Sequence, residues 1–169
     1  VTMMDEMFRD TRVYNRDIPK WDVSSVRDMY GMFYAASSFK GDISEWDVSM
    51  VTDMMQMFKA AISFNSDVSK WDVFGVEDMS EMFRAATLFD GDISKWNVAS
   101  VTKMNSMFMS ATSFNGKLSQ WDVSSVNNMR GMFVTAKMFN SDIRFWDVSG
   151  VGSMDYMFKG AILFKQKLC

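Results

Sequence analysis

The sequence contains no histidine in its 169 residues. Histidine is the commonest general base, a common metal ligand and the only side chain whose ordinary pKa lies near neutral pH. Its absence argues against an enzyme, so we predict no catalytic residue and no cofactor. The only cysteine is Cys169, the last residue. An internal disulfide framework is therefore excluded, and the cysteine content leaves the compartment undecided.

Long runs of one charge sign and long apolar runs are missing too. The 18 basic and 21 acidic side chains give a net charge of -3, and they form no basic patch of the kind that nucleic-acid binding requires. Charged or hydroxyl residues interrupt every apolar cluster well before the ~20 residues that cross a bilayer, so we predict no transmembrane segment. The 48% hydrophobic and 15% aromatic residues nevertheless suffice for a substantial core, which argues against disorder.

A strict 25-residue period organises what is present. Its clearest marker is tryptophan, at Trp21, Trp46, Trp71, Trp96, Trp121 and Trp146. With tryptophan as position 1, positions 3 and 6 are Val, position 9 is Met, positions 12 and 13 are Met-Phe, position 16 is mostly Ala, and position 19 is mostly Phe. We therefore predict one array over residues 1–169 of about seven coils, in which these columns form the core. The coils are residues 1–20, 21–45, 46–70, 71–95, 96–120, 121–145 and 146–169, the first and last being partial.

The apolar spacing within a coil predicts two short elements. From position 6 to position 16 the apolar residues are mostly three apart, which is typical of one helix face, and Ser25 with Asp28 fits a capping box. Around position 1, Trp and Val alternate with Asp, as in Trp21-Asp22-Val23, which favours a strand. The predicted fold is an α/β repeat solenoid with one short strand and one short helix or helical turn per coil, stacked through parallel strands.

The unit W-D-V-S-S-V-x-D-M-x-x-M-F-x-x-A-x-x-F-N-x-D-I-S-x resembles a known repeat of about 25 to 26 residues. It looks like the repeat of mycoplasma lipoproteins and Listeria-type bacterial surface proteins, which is also common in unicellular algae. It is similar as well to BspA-type leucine-rich repeats, through segments such as Met32-Phe33, Ala36 and Phe39. The resemblance implies a leucine-rich-repeat-like fold, a cell-surface or extracellular location, and action through adhesion or protein contacts.

Two columns are acidic and allow two interpretations. Stacked carboxylates could bind a ladder of Ca²⁺ ions, because calcium prefers hard oxygen ligands. Alternatively, each Asp caps its own turn through an Asx-type hydrogen bond, and the absence of calcium-loop spacings favours this second interpretation. The columns are position 2, with Asp22, Asp47, Asp72, Asp122 and Asp147, and position 22, with Asp17, Asp42, Asp67, Asp92 and Asp142.

Apolar residues in the variable columns are the candidates for partner contact. The candidate interaction face consists of Tyr30, Tyr34, Met55, Met109 and Val134, at positions 10 and 14. A second candidate is the end of the array, with Phe145, Tyr156, Ile162 and Leu163. Neither end carries a polar capping repeat, so we expect flanking sequence, a neighbouring subunit or end-to-end contacts.

The repeat columns and the missing residue types predict a non-enzymatic scaffold with a protein partner or a glycan partner, and the resemblance implies that it is of the surface or adhesion type. The alternative is a structural accessory subunit of a larger assembly, such as an organelle membrane complex in an alga, in which neighbours cover the open ends.

Overall fold

The computed structural model describes residues 1–11 and 18–167, so Tyr14, Asp17 and Cys169 lie outside the described residues. Within those ranges the only helix is a three-residue 3-10 helix, Ile18–Lys20. No strand longer than a single bridge is present there. Six isolated parallel β-bridges join position 8 of each coil to position 8 of the next: Met3 to Asp28, Asp28 to Asp53, Asp53 to Asp78, Asp78 to Lys103, Lys103 to Asn128, and Asn128 to Ser153.

The predicted α/β solenoid of the leucine-rich-repeat type is therefore wrong. Neither the helix over positions 6–16 nor the strand around tryptophan forms in any described coil. No helix follows the predicted capping box of Ser25 and Asp28. Asp28 caps a turn instead, because its Oδ1 accepts a hydrogen bond from the backbone N–H of Tyr30 at 2.8 Å. Successive copies do lie over one another, but they are built from tight turns.

The three-residue apolar spacing belongs to these turns. Turn hydrogen bonds run from the N–H of one apolar residue to the carbonyl of the apolar residue three positions earlier. In coil 3 they join Met57 to Met54, Ala61 to Phe58, and Phe64 to Ala61, at 3.0 to 3.2 Å. Both ends of each turn point into the core, so a chain of turns produces the same sequence pattern as one face of a helix.

Left-handed residues keep these turns from winding into a helix. Positions 11 and 15 have positive φ in every coil, and most of them are not glycine; examples are Glu81 at 58° and Ala85 at 57°. The N–H groups at positions 9, 11, 13 and 15 consequently point at the next coil. In coil 4, Phe83 N–H donates to the carbonyl of Met107 at 2.9 Å, and Ala85 N–H donates to the carbonyl of Met109 at 2.7 Å. An α-helix would keep these bonds within one coil.

The core is a continuous stack of the apolar columns, which confirms their predicted role. In coils 3 to 6 the Val, Met, Phe and Ala columns are at most 1% exposed. The phenyl rings at position 13 stack from coil to coil, with centroids 5.3 to 5.8 Å apart. Within a coil, each of these rings from coil 2 onward also stacks on the ring at position 19, as Phe108 does on Phe114 at 3.9 Å.

The tryptophan column adds a directional contact to this packing. Each indole N–H from Trp46 onward donates to the backbone carbonyl 28 residues earlier; Trp96, for example, bonds the carbonyl of Val68 at 2.9 Å. Trp96 is only 3% exposed. A buried carbonyl needs such a partner, because leaving it unpaired costs ~1–3 kcal/mol. The strict spacing of the tryptophans is thus a hydrogen-bonding requirement as well as a packing one.

Candidate functional site

The variable columns at positions 10, 11 and 14 lie together on one surface of the stack, which we call the side face. Positions 11 and 14 are brought together by a turn bond, as between Arg84 N–H and the carbonyl of Glu81. The side face consists of Asp5, Glu6, Arg9, Tyr30, Gly31, Tyr34, Met55, Gln56, Lys59, Ser80, Glu81, Arg84, Asn105, Ser106, Met109, Arg130, Gly131, Val134, Asp155, Tyr156 and Lys159. All five residues of the predicted interaction face belong to it, and each is half-buried.

In the first coils the polar groups of the side face are largely paired with one another. The ring of Tyr34 lies between the cations of two neighbouring coils, with its centroid 4.7 Å from Arg9 Cζ and 5.2 Å from Lys59 Nζ. Tyr30 donates its hydroxyl to Gln56 Oε1 at 3.3 Å. These two tyrosines therefore already make specific contacts within the chain, while Met55 is half-buried in the next coil.

Glu81 neutralises the cations of the central part of the side face. Its Oε2 lies 2.6 Å from Lys59 Nζ and 3.0 Å from Arg84 Nη1. Burial alone would raise the pKa of Glu81, but the hydrogen bonds from Lys59 and Arg84 outweigh burial and lower it. This triad separates the tyrosines of coil 2 from the apolar residues of coils 5 to 7.

Coils 5 to 7 form a groove in the side face with a volume of about 260 Å³. Met109 and Val134 contribute apolar side chains to its lining. The lining residues are Ser106, Met109, Arg130, Gly131, Val134, Tyr156 and Lys159. The structure thus brings Met109 and Val134 of the predicted face together with Tyr156, which the sequence suggested as an end contact.

The cations of this groove differ from those near Glu81. Arg130 Cζ lies 5.8 Å and Lys159 Nζ 5.5 Å from the centroid of the ring of Tyr156, a residue that is 62% exposed. Neither cation forms an ion pair with a carboxylate among residues 1–11 and 18–167. The nearby Asp155 instead accepts the hydroxyl of Ser153 at 3.2 Å. The sequence did not point to Arg130 or Lys159, because only apolar residues in these variable columns were taken as candidates for partner contact.

The other predicted end contacts lie elsewhere. Phe145 is 79% exposed and packs against its neighbour Arg144, whose Cζ lies 5.5 Å from the centroid of the ring. Ile162 and Leu163 occupy positions 17 and 18, at an edge of the stack where other coils also expose apolar side chains. The exposed apolar residues of these two columns are Ile62, Leu88, Met138, Ile162 and Leu163. Only Ile162 and Leu163 were identified from the sequence.

The acidic columns at positions 2 and 22 act as turn caps in the described coils. Asp122 Oδ1 accepts the backbone N–H of Ser124 at 3.1 Å and its hydroxyl at 2.6 Å. Asp92 likewise accepts the N–H of Ser94 at 3.0 Å. The hydrogen bonds to the ionised form lower the pKa of Asp22, Asp42, Asp47, Asp67, Asp92, Asp122, Asp142 and Asp147.

The Asx-turn prediction is confirmed for the described members of both columns. The calcium ladder along Asp22, Asp47, Asp72, Asp122 and Asp147 stays a prediction. Among the described residues, no group of three or more His, Cys, Asp or Glu side chains is arranged to hold a metal ion.

The aspartates that occupy position 8 in coils 2 to 4 behave differently. Asp28, Asp53 and Asp78 follow one another along the bridge ladder, and Lys103 continues the column with an ion pair to Asp78 at 3.1 Å. Burial, together with the charges of Asp28 and Asp78, raises the pKa of Asp53. Asp53 nevertheless accepts the N–H of Met55 at 2.8 Å. It therefore caps its turn even though burial and the neighbouring carboxylates disfavour its charge.

Comparison with known protein families gives one finding. The chain matches the family described as "Mycoplasma protein of unknown function, DUF285" over residues 1–83 and 66–169, which together cover all of it. The chain belongs to this family. No curated protein and no solved structure matches the chain. Across residues 1–11 and 18–167, this DUF285 chain has no helix with the length and hydropathy needed to cross a bilayer.

Proposed function

We propose that this DUF285 chain is a non-enzymatic scaffold that binds a protein partner through its side face, in a surface or adhesion setting. The observation that carries the proposal is the groove of coils 5 to 7. There, variable residues that the core does not require gather into one concave surface of apolar and cationic side chains. Binding sites commonly combine such walls with a few charged groups.

The contrast between core and surface columns supports this proposal. The buried columns hardly vary, because every coil must present the same surface to its neighbours. The side face changes in almost every coil, from Asp5 through Ser80 to Arg130 at position 10. The resemblance to repeats of bacterial surface proteins supports a surface or adhesion role, and the absence of histidine supports a role without catalysis.

A partner isolated from the native source and purified provides the test. Its affinity for the chain is measured by titration calorimetry for the wild type and for Met55→Ser and Met109→Ser on the side face. The matched control is Met138→Ser, because Met138 is 49% exposed at position 18, outside the side face. We expect the side-face variants to weaken binding at least about tenfold, or ~1.4 kcal/mol. The control should bind like the wild type.

Two outcomes would contradict this proposal. One is unchanged affinity in both side-face variants, which would place the contact elsewhere on the chain. The other is chemical turnover of the partner, which would make the chain an enzyme.

A structural subunit of a larger assembly is a second candidate, favoured by the apolar side chains that interior coils expose at positions 17 and 18, namely Ile62, Leu88 and Met138. Light scattering across a concentration series tests this candidate. A concentration-dependent mass would favour it, and a constant monomer mass would count against contacts between copies.

A further inference from the structure

We infer that the groove of coils 5 to 7 binds an acidic peptide segment, with an apolar side chain of that segment lying between Met109 and Val134 and its carboxylates facing Arg130 and Lys159. The inference rests on the proposed function and goes further, because it specifies the chemistry of the partner.

The charge of the groove supports an acidic ligand. Arg130, which has a neighbouring coil on each side, forms no ion pair with a described carboxylate. Lys59 and Arg84 on the same face share Glu81. Cations without a carboxylate partner attract an anionic ligand and form charge-assisted hydrogen bonds with its carboxylates. The central part of the side face has already satisfied its cations internally, so it lacks this complementarity.

The lining of the groove supports a peptide over a glycan. Met109 and Val134 present apolar surface, and a methionine can adapt its shape to different side chains. Besides Arg130 and Lys159, the residues that line the groove offer only the hydroxyls of Ser106 and Tyr156 as hydrogen-bonding side-chain groups, which are few for the many hydroxyls of a sugar. A sugar ring could stack on Tyr156, but Arg130 and Lys159 already lie against that ring.

Gly131 lines the groove without a side chain that would occupy it. It has a φ of 64° and is buried, and an added Cβ would lie 3.4 Å from Ser106 Oγ and 3.4 Å from Val134 Cγ2. The same position holds Gln56 in coil 3, with a φ of 60°. The fold therefore accepts glutamine at this position, and Gly131→Gln should fill the groove without disrupting the turn. Gly31, at the same position in coil 2, offers a matched control outside the groove.

The test uses fluorescent peptides and the full chain. The probe is a nonapeptide of four glutamates, a central leucine and four glutamates; the comparison peptides replace leucine by serine, or every glutamate by lysine. An oligogalacturonate of similar charge represents an acidic glycan. Fluorescence anisotropy should show saturable binding of the probe that weakens as salt is raised. Serine at the centre should weaken binding several-fold, and the lysine peptide should not bind.

The variants locate the site. We expect Arg130→Gln with Lys159→Gln to weaken probe binding at least about tenfold, and Gly131→Gln to weaken it similarly. The charge-matched pair Lys95→Gln with Lys117→Gln, and the control Gly31→Gln, should bind like the wild type. Circular dichroism compared with that of the wild type checks that each variant is folded.

Several outcomes would overturn the inference. They are absence of probe binding, equal loss in the groove variants and the controls, or tighter binding of the oligogalacturonate than of the probe. The proposed function is judged separately, by the purified native partner. If that partner loses affinity in Met55→Ser but not in the Arg130 and Lys159 variant, the side-face proposal stands and the acidic-peptide inference fails.

Discussion

Coil 5 and coil 7 have nearly the same core columns but very different burial. Met104 and Met154 occupy the same position, yet Met104 is 0% exposed and Met154 is 44% exposed. Phe108 is fully buried and Phe158 is half-buried. Their contacts within the coil are nevertheless alike, since the centroids of Phe108 and Phe114 are 3.9 Å apart and those of Phe158 and Phe164 are 4.0 Å apart. The ring contacts within a coil therefore form without a following coil, whereas the burial of its core side chains requires neighbouring coils.

The backbone shows the same difference. Met104 N–H donates to the carbonyl of Asn128 at 2.9 Å, whereas Met154 N–H has no backbone partner among the described residues. Most of the free energy that stabilises a coil must then come from its two interfaces, as in other repeat arrays. Substitutions in coils 5 and 7 can test this conclusion directly.

The largest expected effect is for Phe108→Ala. Phe108 stacks on Phe83 and Phe133, with 5.7 Å between centroids in both pairs, and its removal leaves a cavity between three coils. We expect the free energy of unfolding to fall by ~3–5 kcal/mol. Urea denaturation followed by tryptophan fluorescence measures it. Phe158→Ala should cost less than half as much, and equal losses would show that the interfaces do not dominate.

Trp96→Phe should have the next largest effect. It removes the indole N–H that bonds the carbonyl of Val68 at 2.9 Å and leaves that buried carbonyl unpaired. We expect a loss of ~1–3 kcal/mol in the same denaturation experiment.

Trp21→Phe is the matched control for the indole hydrogen bond. Trp21 is half-buried, and the series of indole hydrogen bonds among the described residues begins only at Trp46. Its substitution should cost clearly less than that of Trp96. A similar cost at both positions would assign the effect to ring size rather than to the hydrogen bond.

A smaller effect is expected for Ala85→Gly, which tests backbone strain within a coil rather than the contacts between coils. Ala85 has a φ of 57°, and a left-handed conformation costs an L-residue ~1–2 kcal/mol. Glycine removes this cost but adds ~0.4–1 kcal/mol of unfolded-state entropy. Ala85→Gly should therefore raise the free energy of unfolding by roughly 0.5–1 kcal/mol. The adjacent Ala86→Gly should instead destabilise, because Ala86 is buried and has no positive φ.

The smallest effect concerns Asp53 and depends on pH. The pKa of Asp53 is raised above its ordinary value of 3.8, so its ionised form destabilises the folded chain and this penalty disappears as pH falls. Asp53→Asn keeps an oxygen for the Met55 N–H, as Asn128 does for Arg130 at 3.0 Å. The variant should be slightly more stable than the wild type at pH 7, and the difference should vanish in acid.

Asp122→Asn is the control of opposite sign. The pKa of Asp122 is lowered by hydrogen bonds from Ser124, so its stabilising contribution is present above its ordinary pKa and is lost as pH falls through the lowered value. This variant should be less stable than the wild type at pH 7 and similar to it in strong acid. Thermal melts across pH measure both variants, and shifts of the same sign would contradict the assignment.

Part of the site could be predicted from the sequence. Met109 and Val134 could be identified because they are apolar residues in columns that vary from coil to coil. Arg130 was not identified, because its lack of a carboxylate partner becomes visible only when neighbouring coils are placed side by side. Lys159 was not, because its contact with the ring of Tyr156 depends on the turn that brings positions 11 and 14 together. Tyr156 was identified but assigned to the end of the array, whereas it lines the groove, at a position with a left-handed φ of 59°.

The sequence by itself determined the period, the columns that form the core, and the aspartates that cap turns. A column of identical residues can only be satisfied by an identical environment in each coil, so these conclusions do not depend on the backbone path. The tertiary structure decided that path. Apolar residues three apart fit a helix face and a chain of turns equally well, and hydrogen bonds from positions 9, 11, 13 and 15 to the next coil favour the turns. Those hydrogen bonds form only between neighbouring coils, so they cannot be predicted from the sequence of one repeat.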